Sequence, residues 1–188
     1  MSPAFFDDDE LAVVAAASDR LVPGASDARV AVYIDRLLGA FSFDPPRLFA
    51  GGPFSGRHGG EAGFERWIAP NRVQALAWRM RIEGTNGGPE RAFNGEHSGW
   101  QAEYRAGLAA LGADFVAVDA GEQDARLDAD PPFKSLLYQH ACEGMYGDPV
   151  YGGNNEGAGW ASIGYVGDVQ PRGYTPLEVS GRERGDIT

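Results

Sequence analysis

Apolar residues recur at intervals of three and four along the first forty positions, and this helical period constrains the fold more than any other feature. The acidic run at 7–10 supplies an N-cap and suits the positive end of a helix dipole, which favours a solvated helix start over a metal site. Pro23 and Gly24 then end the first helix. Its predicted inner face consists of Leu11, Val14, Ser18 and Leu21.

A second helix is predicted to follow directly, with Asp27 as its N-cap. Because the link between the two helices is short, we expect them to pack antiparallel. The apolar stripe of this second helix consists of Val30, Ile34, Leu37, Leu38 and Phe41.

Three more helical patterns follow along the chain. Pro70 suits the first turn of one helix, whose predicted apolar face is Val73, Leu76, Ala77 and Met80. A second pattern spans residues 100–111, and Gly112 closes it. The third begins at Pro131 and Pro132, and its predicted inner face consists of Phe133, Leu136, Leu137, His140, Ala141 and Met145.

The sequence therefore predicts an all-α fold of five or six helices. Residues 116–118 are the best strand candidate, but they are too short to build a sheet. We expect one domain over residues 1–188, with a helical body over about 5–147. A short helical turn is also expected after Thr175 and Pro176.

Long segments without a period separate or follow these helices. Residues 42–65 and 84–99 are rich in glycine and proline, and residues 148–188 form an extended tail. Segments of this length are either disordered or functional, and their many aromatic residues argue against disorder. Ordering the tail has a large entropy cost, which its own few aromatics offset only if all are buried. We therefore expect these segments to wrap a partner.

Composition excludes several classes of partner. The net charge is −11 and Lys134 is the only lysine, so a nucleic acid would be repelled. Cys142 is the only cysteine, which rules out an internal disulfide. The N-terminal residues lack the basic and apolar regions of a signal peptide, and no apolar run approaches membrane-spanning length. The chain as given is therefore expected in the cytoplasm, without direct membrane insertion.

The glycine-rich stretch at 144–160 raises the question of a phosphate loop. Gly157 and Gly159 are followed by W-A-S, so the third glycine of a dinucleotide fingerprint is missing. No lysine stands where a P-loop needs one. The glycines are better interpreted as left-handed and tight-turn positions, assisted by Asn154 and Asn155. No cofactor-binding residue is expected in this chain.

The histidines offer little more. His140 and Cys142 form H-x-C, but two residues apart on a helix they face different ways, and no second pair completes a metal site. His140 is predicted to be a packed histidine of the core or an interface. His58 and His97 lie in glycine-rich loops, where a general base is possible but no spacing rule supports one. Capping or interface roles are assigned to Glu143 and Asp148.

Several segments together resemble the gluconate 2-dehydrogenase subunit 3 family. They are F-F-D-D-D-E-L-A-V-V-A-A-A-S-D-R-L-V-P-G at 5–24, A-V-Y-I-D-R-L-L at 31–38, E-G-M-Y-G-D-P-V-Y-G-G-N-N-E-G-A-G-W-A-S-I-G-Y at 143–165 and P-R-G-Y-T-P at 171–176. The element D-P-x-Y-G-G-N is the most specific part, and the fit is looser between residues 42 and 99. Members are the small, or gamma, subunits of membrane-associated flavin dehydrogenases for sugars and polyols.

This resemblance implies a subunit without a cofactor of its own. It implies that the chain binds, stabilises and helps to mature a large FAD-containing subunit of the glucose–methanol–choline (GMC) type, with a cytochrome c subunit as a further possible partner. Many members carry a twin-arginine signal, which this sequence lacks before Phe5. If such a signal was trimmed, the expected location is the periplasm or cell envelope.

The predicted partner-contact set combines the aromatic anchors and turn formers of the tail. It consists of Tyr146, Asp148, Tyr151, Asn154, Asn155, Trp160, Tyr165 and Tyr174. Two alternatives from other classes stay open at this point. One is a small stand-alone enzyme with His58, His97 or His140 as a general base in a loop-lined pocket. The other is a free-standing ligand-binding module.

Overall fold

The computed structural model describes residues 3–48, 69–85, 88–93 and 95–165. Within these ranges the chain is all-α, as predicted, and contains no strand. The described residues form seven α-helices rather than five or six, and four short 3-10 turns. The helices are α1 (Asp8–Leu21), α2 (Val30–Leu38), α3 (Arg72–Glu83), α4 (Trp100–Leu111), α5 (Ala120–Asp128), α6 (Pro131–Tyr146) and α7 (Ala158–Ser162).

Helix α1 begins where the acidic run predicted. The Glu10 amide donates to Asp7 Oδ1 at 2.8 Å, and the Asp7 amide donates to Glu10 Oε2 at 3.0 Å. This reciprocal capping box satisfies two amides that a helix start otherwise leaves free. Val14 and Ser18 of the predicted face are fully buried, and Leu11 and Leu21 are half-buried beside them.

The predicted cap of α2 is wrong. Asp27 is exposed, and the N-cap is Arg29, whose φ of 54° is left-handed and whose side chain makes no capping bond. The amide of Arg29 already donates to Ser26 O at 3.1 Å, and that of Val30 donates to Ala25 O at 2.9 Å. Because these backbone bonds close the turn, no amide is left for Asp27 to cap.

The predicted start and face of α3 are also wrong. Asn71 is the N-cap and forms a capping box with Gln74, while Pro70 precedes it. Of the predicted stripe, Val73 is 75% exposed. Only the C-terminal half of the helix reaches the interior, and Ile82 is its one buried residue, in a small cluster with Ala40 and Leu48.

Helix α5 was not predicted, because it is nine residues long, has few apolar residues and buries only Leu127. Asp119 caps it, and Arg126 binds Glu122 within the helix. Two further ion pairs attach α5 to its surroundings: Arg126 binds Asp114, and Arg20 of α1 binds Asp124. The strand candidate at 116–118 lies in the turn before this helix, where the Ala117 amide donates to Asp114 O.

The main core lies among α1, α2, α4 and α6. Its largest fully buried side chains include Ile34, Tyr104, Leu111, Phe115 and Leu137. The predicted bounds of α4 are confirmed, with Gly112 as its C-cap. Helix α6 also matches its prediction: Asp130 caps its start, Gly147 ends it, and its inner residues are buried except for the half-buried Leu136.

The segment before α1 is fixed to α2 by a buried carboxylate. Asp35 is 5% exposed, and it accepts hydrogen bonds from the amides of Ala4, Phe5 and Phe6 at 2.7, 2.9 and 3.0 Å. We call this arrangement the Asp35 clasp. Phe6 is thereby held against Tyr104 of the core, with ring centroids 5.8 Å apart.

Candidate partner-binding surface at the end of helix α6

The glycine-rich segment after α6 folds back onto that helix in close backbone contact. A Cβ atom at Gly153 would lie 2.2 Å from Gly144 O, and one at Gly159 would lie 1.7 Å from Met145 O. Neither contact can relax by moving a flexible side chain, because the obstructing atoms are backbone carbonyls. Glycine is therefore required at both positions for the segment to pack, and neither cradles a phosphate.

Asn154 ties this segment together from the inside. It is completely buried, with a left-handed φ of 44°. Its side-chain amide donates to Gly147 O at 2.9 Å, and its Oδ1 accepts from the Gly159 and Trp160 amides at 2.9 and 3.3 Å. One side chain thus joins the end of α6 to the first turn of α7.

The predicted turn chemistry is right for Asn154 and wrong for its neighbour. The second non-glycine residue with a positive φ in this segment is Glu156, at 54°, and not Asn155. Asn155 instead donates its backbone amide to Ala28 O at 3.1 Å, which fixes the segment to the loop between α1 and α2. The sequence cannot reveal a contact of this kind, because it is made by backbone atoms and not by the side chain.

Two further members of the predicted contact set have local structural partners. Asp148 is half-buried, and its Oδ1 accepts from the Val150 amide at 3.0 Å, as expected of a capping residue. Tyr151 is half-buried and lines a cleft of about 210 Å³, which is also lined by Tyr33, Arg36, Leu37, Arg47, Leu48 and Trp78. Tyr174 lies outside the described residues.

The remaining predicted contacts form one exposed aromatic surface. Tyr146 and Tyr165 are 39% and 43% exposed, and Trp160 lies half-buried between them. The Trp160 indole N–H donates to Tyr146 O at 2.8 Å, and its ring meets that of Tyr165 edge to face at 5.3 Å. The indole therefore connects α6 to the residues that follow α7.

Sequence reasoning missed two members of this surface. Tyr138 is 52% exposed and Ile163 is 60% exposed. Tyr138 and Tyr146 stand eight residues apart, about two helical turns, so both point away from the inner face of α6. This spacing was readable in the sequence, because neither tyrosine belongs to the apolar period of the helix. We call Tyr138, Tyr146, Trp160, Ile163 and Tyr165 the aromatic surface.

The segment that carries the aromatic surface has only acidic charges of its own, and the Arg36 side chain of α2 lies against its Gly152. Residues 135–165 contain Glu143, Asp148 and Glu156 and no lysine or arginine. Glu143 and Glu156 are exposed. Glu143 accepts hydrogen bonds from the Tyr33 hydroxyl at 2.9 Å and from Gln139 at 3.0 Å. Burial, reinforced by this carboxylate, strongly raises the pKa of Tyr33, so the phenol stays neutral.

His140 is a core residue, as predicted. It is completely buried, its Nδ1 lies 3.0 Å from the Tyr104 hydroxyl, and its ring meets Trp100 edge to face at 4.7 Å. Its Nε2 has no hydrogen-bond partner. Burial lowers the pKa of His140, so the ring is neutral at pH 7.

The other candidate ligands among the described residues are not brought together. His97 is exposed in the loop before α4, where its backbone bonds to Thr85, and His58 lies outside the described residues. Cys142 is half-buried on α6. No group of three or more histidine, cysteine or carboxylate side chains suited to a metal ion occurs in the part of the chain that the structure describes.

Helices that could cross a membrane are also absent from residues 3–48, 69–85, 88–93 and 95–165, since none there is both long and apolar enough. In a comparison with protein families, the family model described as gluconate 2-dehydrogenase subunit 3 matches residues 8–167. The matched range begins at α1 and includes the whole aromatic surface. Comparison with curated proteins and with solved structures gives no significant match.

Proposed function

Because this chain belongs to the gluconate 2-dehydrogenase subunit 3 family, we propose that it is the non-catalytic small subunit of an FAD-dependent sugar or polyol dehydrogenase. Its partner is a catalytic subunit of the GMC type, which holds the FAD, and a cytochrome c subunit accepts the electrons. The chain itself contributes no cofactor. The observation that carries this proposal is the aromatic surface, which lies inside the matched range.

Aromatic side chains gathered on one face support a binding role. Single exposed apolar residues are ordinary on protein surfaces, whereas a contiguous group indicates an interaction site. Tyrosine and tryptophan are the residues that most often anchor protein interfaces. Here five large side chains lie on α6 and on the segment that Asn154 attaches to it.

The stabilising role follows from linkage. A subunit that binds the folded catalytic chain and not the unfolded one shifts the folding equilibrium toward the active form. At a free concentration one hundred times the Kd, this shift is worth about 2.7 kcal/mol. Maturation is assisted in the same way, because the folded catalytic subunit is trapped as it forms.

The stand-alone enzyme is the weaker alternative. A general base must reach the proton that it removes, and His140 is enclosed by Trp100 and Tyr104. His97 is exposed and remains the accessible candidate among the described residues. If this chain were an enzyme with such a base, it would show catalytic activity without any partner.

Co-expression with a GMC-type flavoprotein from the same organism tests the proposal. Three samples are compared: this chain alone, the flavoprotein alone, and the pair. We expect the pair to co-purify, to unfold at a higher temperature than the flavoprotein alone, and to retain more bound FAD by absorbance. Sugar-dependent reduction of an artificial electron acceptor should require the flavoprotein. Turnover by this chain alone would support the enzyme alternative, and a flavoprotein equally stable without this chain would contradict the accessory role.

A further inference from the structure

We propose that the aromatic surface is the face that docks onto the catalytic subunit, and that it fits an apolar hollow edged by arginine or lysine side chains. The identity of the partner rests on the proposed function above. The shape and charge of the partner's surface are inferred from this chain alone.

The first argument is continuity. Tyr138 and Tyr146 lie about two helical turns apart on the outer side of α6, and both are exposed. Trp160 continues the surface by bonding to Tyr146 O, and its ring contacts Tyr165. The other large exposed apolar residues among those described, Val73, Phe93 and Val116, belong to three separate segments.

The second argument is preorganisation. An interface loses affinity when binding must first order its side chains and loops. The aromatic surface needs little ordering, because one half stands on a sixteen-residue helix. The other half is held to that helix by Asn154 and by the backbone contact between Gly159 and Met145. Because the backbone beneath these exposed rings is already fixed, a partner could bind them with little loss of conformational entropy.

The third argument is charge. Every charged side chain in residues 135–165 is a carboxylate. Three described cations near the ends of α1, α5 and α6 bind carboxylates elsewhere: Arg20 binds Asp124, Arg126 binds Asp114 and Lys134 binds Asp128. A fourth cation, Arg36 of α2, lies against Gly152 and is half-buried. The exposed carboxylates Glu143 and Glu156 would repel a partner with an acidic rim, and they would attract and orient one with a basic rim.

Three occupants of the surface make different predictions. A catalytic subunit with a basic rim gives a hetero-complex whose formation weakens with salt. If a second copy of this chain occupied the surface, the acidic rims of the two copies would face each other. The third candidate is the chain's own residues 166–188, which follow Tyr165 directly. Charge disfavours the second copy. The tail carries four acidic and three arginine side chains, so charge gives it little attraction to an acidic rim.

The experiment measures binding of purified full-length variants to the catalytic subunit by surface plasmon resonance. The test variant combines Tyr138→Ser and Tyr146→Ser, which remove exposed phenols without touching the Trp160 bond to the Tyr146 backbone. We expect its Kd to rise about 100-fold, as for anchor residues at other interfaces. Val73→Ser and Val116→Ser are matched controls, since they remove exposed apolar side chains elsewhere, and we expect a change within about 2-fold.

Charge is tested by Glu143→Gln combined with Glu156→Gln. These variants should slow association and flatten its dependence on salt between 50 and 500 mM, with little change in dissociation, as expected of rim charges. Gln at position 143 keeps an oxygen for the Tyr33 hydroxyl. Association as fast and as salt-sensitive as in the wild type would overturn the basic rim.

Benzoylphenylalanine introduced at position 138 identifies the occupant by photo-crosslinking. A crosslink to the catalytic subunit supports the proposal, and a crosslink to a second copy or to residues 166–188 overturns it. If the wild-type chain binds no GMC-type subunit, the proposed function fails and this proposal fails with it. If the wild-type chain binds and the double tyrosine variant binds within about 3-fold of it, only the docking face is wrong.

Discussion

The two sides of α6 differ in what surrounds their aromatic rings. Its inner side buries Phe133, Leu137 and His140 in the core, and every ring there contacts another part of the same chain. Its outer side carries Tyr138 and Tyr146, which are as large but face solvent. Burial within the chain explains the inner side completely. The outer side has no such explanation, and this difference is why we propose that it binds a partner.

The largest expected effect comes from the inner side. Leu137→Ala removes a completely buried side chain and leaves a cavity among α1, α2 and α4, so it should lower the free energy of unfolding by about 2–5 kcal/mol. Its neighbour in the sequence provides the control: Tyr138→Ala should change stability by less than about 0.5 kcal/mol. Urea unfolding followed by circular dichroism measures both. Similar losses of unfolding free energy in the two variants would contradict the difference between the inner and outer sides of α6.

Next in size is the joint between α6 and the glycine-rich segment. Gly159→Ala places a methyl group against Met145 O and should cost at least about 1–3 kcal/mol. Gly121→Ala in α5 is the control, because its Cβ meets nothing closer than 3.3 Å and alanine favours a helix, so it should be neutral or stabilising by about 0.5–1 kcal/mol. If the joint also supports the aromatic surface, the Gly159 variant should bind the catalytic subunit more weakly, whereas the Gly121 variant should not.

Asn154 and Asn155 offer a matched pair of smaller effect. Asn154→Ala removes three side-chain hydrogen bonds and leaves buried backbone groups unpaired, so a loss of about 1–3 kcal/mol is expected. Asn155→Ala keeps the backbone bond to Ala28 and should lie within about 0.5 kcal/mol of the wild type. Thermal unfolding distinguishes the two. Equal losses would mean that the Asn154 side chain is not what fixes the segment.

The smallest predicted effect is a pH dependence of the inner side. Burial lowers the pKa of His140 in the folded chain, although Glu143 opposes the shift. The unfolded chain therefore binds the proton more tightly, and the stability associated with neutral His140 is complete above its unfolded pKa, near 6.5. It is lost as pH falls below that value, by at most about 1.4 kcal/mol per pH unit for one proton. Urea unfolding at pH 7 and pH 5.5 should show a smaller difference in His140→Gln than in the wild type, and an equal difference would contradict this role.

Helices were predicted well from the sequence where apolar packing stabilises them, and poorly where other tertiary contacts do. Helices α4 and α6 were placed well, because glycine and proline mark their ends and their apolar period matches the core. Helix α5 was missed because its attachment depends on ion pairs with α1 and with the preceding turn, and such partners have no period in the sequence. Propensity and pattern are weak where tertiary contacts decide.

The candidate site was predicted in outline and not in detail. Tyr146, Trp160 and Tyr165 were selected as aromatic anchors, and they do lie together on one surface. Asn154 was selected as a possible contact, but it is buried. A turn-forming asparagine looks the same in sequence whether its amide points to a partner or to its own backbone. The structure shows that the Asn154 side chain binds its own backbone, since it accepts from the amide of Gly159, which lies against α6.

The Asp35 clasp has a practical consequence for every variant designed above. Three amides at the start of the chain compensate a carboxylate that water barely reaches, so removing residues 4–6 would strand a negative charge inside the protein. Versions shortened to the start of α1 would be unstable for a reason unrelated to binding. Affinity handles must therefore leave Ala4, Phe5 and Phe6 in place, or a damaged fold will be mistaken for a lost interface.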